Sequence, residues 1–228
     1  GAANTAMGQG AMQLNTTGAC NTATGTQAIY SNTTGNHNTA TGRCALFANT
    51  TASNNTAIGY KSLLSNTTAD DNTAVGTYAL CLTTTGDSNV AVGKSSVQAN
   101  TTGSNNTGIG FRALQANTTA GQNTAVGRCA LPANTTGSNN TAIGNSTLKS
   151  NTTGANNTAS GVYSLFSNTT ASNNVAFGGQ TLCANTTGTL NTAVGTKALR
   201  SNTTGNANTA SGHYALKANT TGAVSYTH

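Results

Sequence analysis

Asn4 opens the segment NTAMGQGAMQLNTTGAC (4–20), and Asn21 opens NTATGTQAIYSNTTGNH (21–37). The two align residue for residue at a spacing of 17. The frame continues without insertion through Asn38, Asn55, Asn72, Asn89, Asn106, Asn123, Asn140, Asn157, Asn174, Asn191 and Asn208. Thirteen copies cover Asn4 to Val224 of the 228 residues; Gly1–Ala3 reads as the tail of an earlier copy, and Ser225–His228 breaks the pattern. Within the repeat, position one is always Asn, position five always Gly, and positions thirteen and fourteen always Thr. Position three is Ala except at Gly108, and position twelve is Asn except at Thr83. Position nine is aliphatic or Met throughout, position four is usually apolar, and positions six, seven, ten, sixteen and seventeen vary.

A unit of 17 residues is too short for two packed helices and a turn, and a Gly in every unit disfavours a helical array. The pattern predicts an all-β fold: a parallel β-solenoid, or β-roll, of thirteen coils with two short strands and two turns each. At a rung spacing of about 4.8 Å the coils would extend roughly 60 Å. The whole chain, 1–228, reads as one repetitive domain and as a segment of a longer fibre. In N-T-A-V-G, positions two and four share one strand face and positions one, three and five the other. Hydrophobicity then places positions two, four and nine inside, typified by Val75 and Leu80, with Val90 and Val175 at position two in support. It leaves the Ala file outside as a flat surface for a neighbouring chain. The Gly fits a bend, N-T-T-G reads as the turn side, and stacked Asn amides can bond from rung to rung.

Composition excludes several alternatives. Only 5% of residues are charged and 4% aromatic, with one Pro and no Trp. The 35% hydrophobic fraction is mostly Ala, which cannot fill a wide core. Disordered chains favour charge, Pro and Glu. No apolar run approaches the length of about 18 that a membrane span needs, so no membrane insertion is expected.

The N-T-A-V-G and N-T-A-I-G segments followed by x-x-A-L resemble the SVAIGxxAxA repeat of YadA-like trimeric autotransporter adhesin heads, most closely at N-V-A-V-G, Asn89–Gly93. They are also similar to NTAVG-type repeats of phage tail fibres. The resemblance implies a left-handed β-roll, three of which associate into a fibre or head. The N-T-T-G stretch makes this unit longer than the family's head repeat.

Enzyme chemistry is not expected, nor a cofactor or metal. The acidic residues are Asp70, Asp71 and Asp87, and Asp70-Asp71 falls in the variable turn. His37, His213 and His228 lie far apart in the repeat array, so no triad or metal spacing emerges. The net charge is +6, and its nine cations all fall at positions six, seven or ten. That density is too sparse for a nucleic-acid partner and reads as solubility. Tyr60, Lys61, Tyr78, Phe111, Arg112, Tyr163 and Tyr214 share those positions and form a candidate ligand edge on which a host-surface glycan could stack. Cys20, Cys44, Cys81, Cys129 and Cys183 are an odd set, with same-file partners five or six rungs apart, about 24–29 Å. No intrachain disulfide bridges such gaps. N-T-T is also a glycosylation acceptor pattern, at Asn15, Asn32, Asn49, Asn66, Asn100, Asn117, Asn134, Asn151, Asn168, Asn185, Asn202 and Asn219. N-N-T adds Asn54, Asn105, Asn139 and Asn156. Ice binding by the N-T-T face is disfavoured, because adjacent Thr residues point to opposite sides of a strand and a flat Thr plane requires T-x-T.

These readings favour a structural protein: a rigid extracellular fibre or filament at a cell or virion surface, attached through its variable positions. Its partner would be itself, as a homotrimer or as an end-to-end filament from open coil edges. The alternative is a binding module for glycan or ice, using the Asn-Thr-Thr face or the basic and aromatic edge.

Overall fold

The computed structural model describes residues 2–223, which cluster into two compact units divided between Thr119 and Ala120. Gly1, and Val224 to His228, which include the last residue of the repeat frame, lie outside the described residues. The fold is all-β, a parallel β-solenoid with one three-residue strand per 17-residue coil. The first unit carries β1 (Thr5–Met7), β2 (Thr22–Thr24), β3 (Thr39–Thr41), β4 (Thr56–Ile58), β5 (Thr73–Val75), β6 (Val90–Val92) and β7 (Thr107–Ile109). The second carries β8 (Thr124–Val126), β9 (Thr141–Ile143), β10 (Thr158–Ser160), β11 (Val175–Phe177), β12 (Thr192–Val194) and β13 (Thr209–Ser211). Within each unit, consecutive strands pair in parallel and in register, as Thr73, Ala74 and Val75 do with Val90, Ala91 and Val92.

The expected second strand is absent among the described residues. After Gly the chain runs through turns and bends. These turns nevertheless bond to neighbouring coils as a strand would. In the coil beginning at Asn72, the backbone N–H of Tyr78 donates to Tyr60 at 3.0 Å, Leu80 to Ser96 at 3.1 Å, Thr84 to Thr101 at 2.9 Å and Ser88 to Asp70 at 3.1 Å. Backbone polar groups with little access to water are thereby paired along the whole circuit, not only in the strand.

Tight bends make so short a circuit close. Gly76 has φ +134°, and a Cβ there would lie 2.7 Å from the carbonyl carbon of Gly93 on the next coil. Position five therefore admits only Gly for two reasons, conformation and contact. Three further bends per coil use left-handed backbone without Gly: Tyr78 (φ 60°), Leu80 (φ 48°) and Ser88 (φ 57°). For Leu80 this conformation costs about 1–2 kcal/mol. Complete burial of its side chain contributes about 1.5–3 kcal/mol, enough to hold a bulky residue where Gly or Asn is normally favoured.

The interior reverses the assignment made from hydrophobicity. Ala23, Ala40, Ala57, Ala74, Ala91 and their equivalents are fully buried, so the Ala file is core and not an assembly surface. Val75 is only half-buried, and Ile58, Val92 and Ile109 at the same position are exposed. Thr and Val at position two, including Val90 and Val175, also face outward. The alternation of faces is as expected, but the inside is decided by size. Leu at position nine fills the coil from the opposite wall and leaves room for little more than a methyl group across from it. Gly108 illustrates how full the space is: a Cβ there would come 2.5 Å from Val97 Cγ2 and 2.6 Å from Ser96 Oγ.

Two Asn files complete the core. At position twelve, Asn49 Nδ2 donates to Asn32 Oδ1 at 2.8 Å and to the Ala52 carbonyl at 3.0 Å. At position one, Asn89 accepts the Asn106 N–H on Oδ1 at 2.9 Å, and its Nδ2 donates to the Gly103 carbonyl at 2.9 Å. Thr83 interrupts the first file. Its hydroxyl is buried without a partner, and the Asn66 Oδ1 that a neighbouring amide would reach is orphaned too.

Two stability predictions follow from these defects. Thr83→Asn restores the amide ladder and should raise stability by about 1–3 kcal/mol, the usual penalty of an unsatisfied buried polar group; a lower melting temperature would refute this. Gly108→Ala alone should destabilise by about 1–3 kcal/mol through overpacking, while the Val97→Leu/Gly108→Ala pair, which copies the other coils, should recover the loss. Both are read by chemical denaturation.

Candidate functional site

Chemistry-bearing side chains gather on the outward residues that follow the Gly bend. Positions seven and ten lie side by side across the turn. Thus Tyr163 and Phe166 meet with centroids 5.4 Å apart, and Lys217 Nζ sits 4.7 Å from the Tyr214 ring. Of the candidate ligand edge, Tyr60, Lys61 and Tyr78 form one cluster in the first unit: the two rings meet edge-on at 5.4 Å and the Lys61 ammonium lies 5.3 Å from the Tyr60 ring. Phe111 and Arg112 make a separate pair at 5.1 Å. In the second unit, Tyr163 packs on Phe166, while Tyr214 groups with His213, Lys197 and Lys217. The seven residues therefore form four local clusters, not one site.

Three aromatics that the sequence reading leaves aside belong to the same surface. Tyr30 and Phe47 stack on consecutive coils at 5.1 Å and 12°, and Lys149 lies 5.0 Å from the Phe166 ring. All three occupy position ten, the position shared by Lys149, Arg200 and Lys217, so the repeat frame already carried that signal. Beside Phe47 a shallow groove of about 390 Å³ runs between Gln27, Cys44, Lys61 and Leu64. A smaller one, about 140 Å³, lies between Tyr163, Phe166, Gln180, Cys183 and Arg200.

Electrostatics at this edge are those of cations laid over rings. The Tyr60 hydroxyl, through a hydrogen bond, holds Lys61 above the usual ammonium range. Lys197 donates to the Tyr214 hydroxyl at 3.0 Å and draws that phenol below its ordinary value. Such exposed pairs are weak. They leave the ammonium and guanidinium groups free to meet an anionic or polyhydroxylated ligand.

The remaining candidate residues have structural tasks or lie apart. Asp70 accepts the Ser53 N–H at 2.7 Å, and Asp87 accepts the Asp70 N–H at 2.8 Å. Position sixteen is thus a further ladder, also served by Asn36 and Ser172, and is less free than its variation suggests. Asp71 and His37 are exposed in the left-handed turn at position seventeen, and His228 lies outside the described residues. No group of three His, Cys, Asp or Glu residues that could hold a metal occurs among the described residues. No helix among them is long and apolar enough to cross a membrane.

The Asn-Thr-Thr acceptor pattern is likewise structural. Asn32, Asn49, Asn66, Asn100, Asn117, Asn134, Asn151, Asn168, Asn185 and Asn202 are fully buried. Asn15 and Asn219 on the outer coils are part-buried, and their amides donate to Gly18 and Gly222. A glycan on this file would displace the ladder that closes the coil. Asn54, Asn105, Asn139 and Asn156 are exposed in the left-handed turn. Comparison with known proteins finds no family model, no curated protein and no solved structure that matches this chain.

The cysteines are all free thiols. Burial pushes the thiols of Cys81 and Cys183 up. A raised pKa lowers the thiolate fraction at neutral pH, so alkylation should reach exposed Cys20 first and Cys81 and Cys183 only as the pH rises. Mass-spectrometric mapping of iodoacetamide adducts over a pH series checks the order.

Proposed function

We propose that this chain is a structural protein: a segment of a fibre or filament at an extracellular, cell or virion surface, with attachment through the variable outward positions. One observation carries this reading. In both units the repeated residues complete bonds to the next coil, while every Lys and Arg and most aromatic side chains stand at positions six, seven and ten. A core of this kind is stiff, because each coil is held by the backbone and amide ladders of its neighbours. Its surface can change without disturbing them. The aromatic and basic clusters suit attachment to a surface glycan, since rings stack on sugar faces and cations meet acidic groups.

Self-association is the property to test. The buried Ala file does not provide the contact, so an assembly must use outward side chains. Electron microscopy and sedimentation of the purified chain should find oligomers or fibres. A chain that remains monomeric at every concentration would overturn the fibre reading.

A further inference from the structure

We propose that the outward face of β2–β7 binds ice. A flat ice-binding plane asks for two outward files of small side chains, T-x-T at best, a condition that Thr33-Thr34 on the turn side cannot meet, that β2 and β3 meet in full, and that β4 to β7 meet with a methyl-bearing side chain in place of one or both Thr residues. In β2 and β3 the outward pairs are Thr22 with Thr24 and Thr39 with Thr41. In β4 to β7, Ile58, Val75, Val92 and Ile109 supply methyl groups at position four, and position two stays Thr except for Val90. The strands are paired in register, so the side chains form two straight files. The files repeat about every 4.8 Å along the ladder and lie about 6.7 Å apart across it. No side chain on this face is charged or larger than Ile.

The hydroxyls at position two of this face are available, whereas those at position thirteen on the turn side are not, which leaves that side a single outward Thr file at position fourteen. Thr33 Oγ1 donates to the Thr50 carbonyl at 3.0 Å, and Thr50 Oγ1 to the Thr67 carbonyl at 3.0 Å. None of the hydrogen bonds formed among the described residues uses the hydroxyls of Thr22, Thr39, Thr56 or Thr73. A fixed net of hydroxyls anchors waters by hydrogen bonds, and the methyls between them restrict the orientation of the first shell. Water held in a repeating, uncharged two-dimensional array is the chemistry of an ice surface.

Composition argues against a second copy as the occupant: the face carries no aromatic or Arg side chain of the kind that anchors a protein interface. The absence of charge on the face also removes the contacts an anionic glycan or nucleic acid would need.

Ice-recrystallisation inhibition by the full chain tests the assignment, with thermal melting followed by circular dichroism as a check on folding. The wild-type chain should halt crystal growth. Thr73→Tyr should abolish the activity at an unchanged melting temperature, whereas Thr68→Tyr, on the turn side, and Val90→Thr, which completes the hydroxyl file, should retain it. Thr56→Lys replaces Thr73→Tyr if the latter fails to fold. No inhibition by the wild type, or equal activity of Thr73→Tyr and Thr68→Tyr, would overturn the proposal. So would sedimentation in which Thr73→Tyr dissolves a self-assembly while ice growth is unaffected, because the face would then belong to a second copy. Failure on ice leaves the fibre reading standing.

Discussion

The whole coil depends on closing a 17-residue circuit around an interior whose side chains are fully buried. Polar groups that turn inward must be bonded to the next coil, because water cannot reach them and an unpaired one costs about 1–3 kcal/mol. Asn meets this demand in two ways at once. Its amide oxygen accepts from one neighbouring coil while its Nδ2 reaches a carbonyl in the turn, as for Asn49 and Asn89. Gln would overrun the space, and Ser lacks the second donor. The regularity of the two Asn files follows from this geometry, and the disruption beside Thr83 is its counter-example.

The same narrowness inverts the usual relation between apolarity and burial. Ala74 is fully buried while Val75, the more apolar neighbour, is left half-exposed. Leu80 occupies the interior even though its backbone must adopt φ 48° to place it there. Burial of its side chain offsets that conformational cost. Room for one large side chain per coil makes the rest of the core methyl groups, glycine and amides.

Exclusion from the core gives the surface its character. Aliphatic and Thr side chains that cannot enter stand in files on the strand face. Lys and Arg, and the Tyr and Phe residues of the described coils other than Phe177 in β11, which are larger still, collect across the turn at positions six, seven and ten. There they pair with one another, ring on ring or cation over ring. Both outward surfaces inherit the coil spacing, so any ligand that meets them meets a periodic array.

Period, coil number and parallel architecture were legible in the sequence, because the spacing of 17 and the invariant Gly and Asn are local properties of the chain. The alternation of faces in T-A-V was legible as well, since it follows from strand geometry. Which face points inward was not, because it depends on how far Leu80 reaches across the coil from a turn whose left-handed backbone no local rule favours. The buried state of Asn32 and its equivalents had the same origin: the N-T-T pattern serves a glycan acceptor and a core amide equally well, and only the closed coil distinguishes them. The partnership of positions seven and ten, which brings Phe166 to Tyr163, likewise required the turn to be folded. The chain alone settles what repeats; the folded coil settles which side chains there is room to bury.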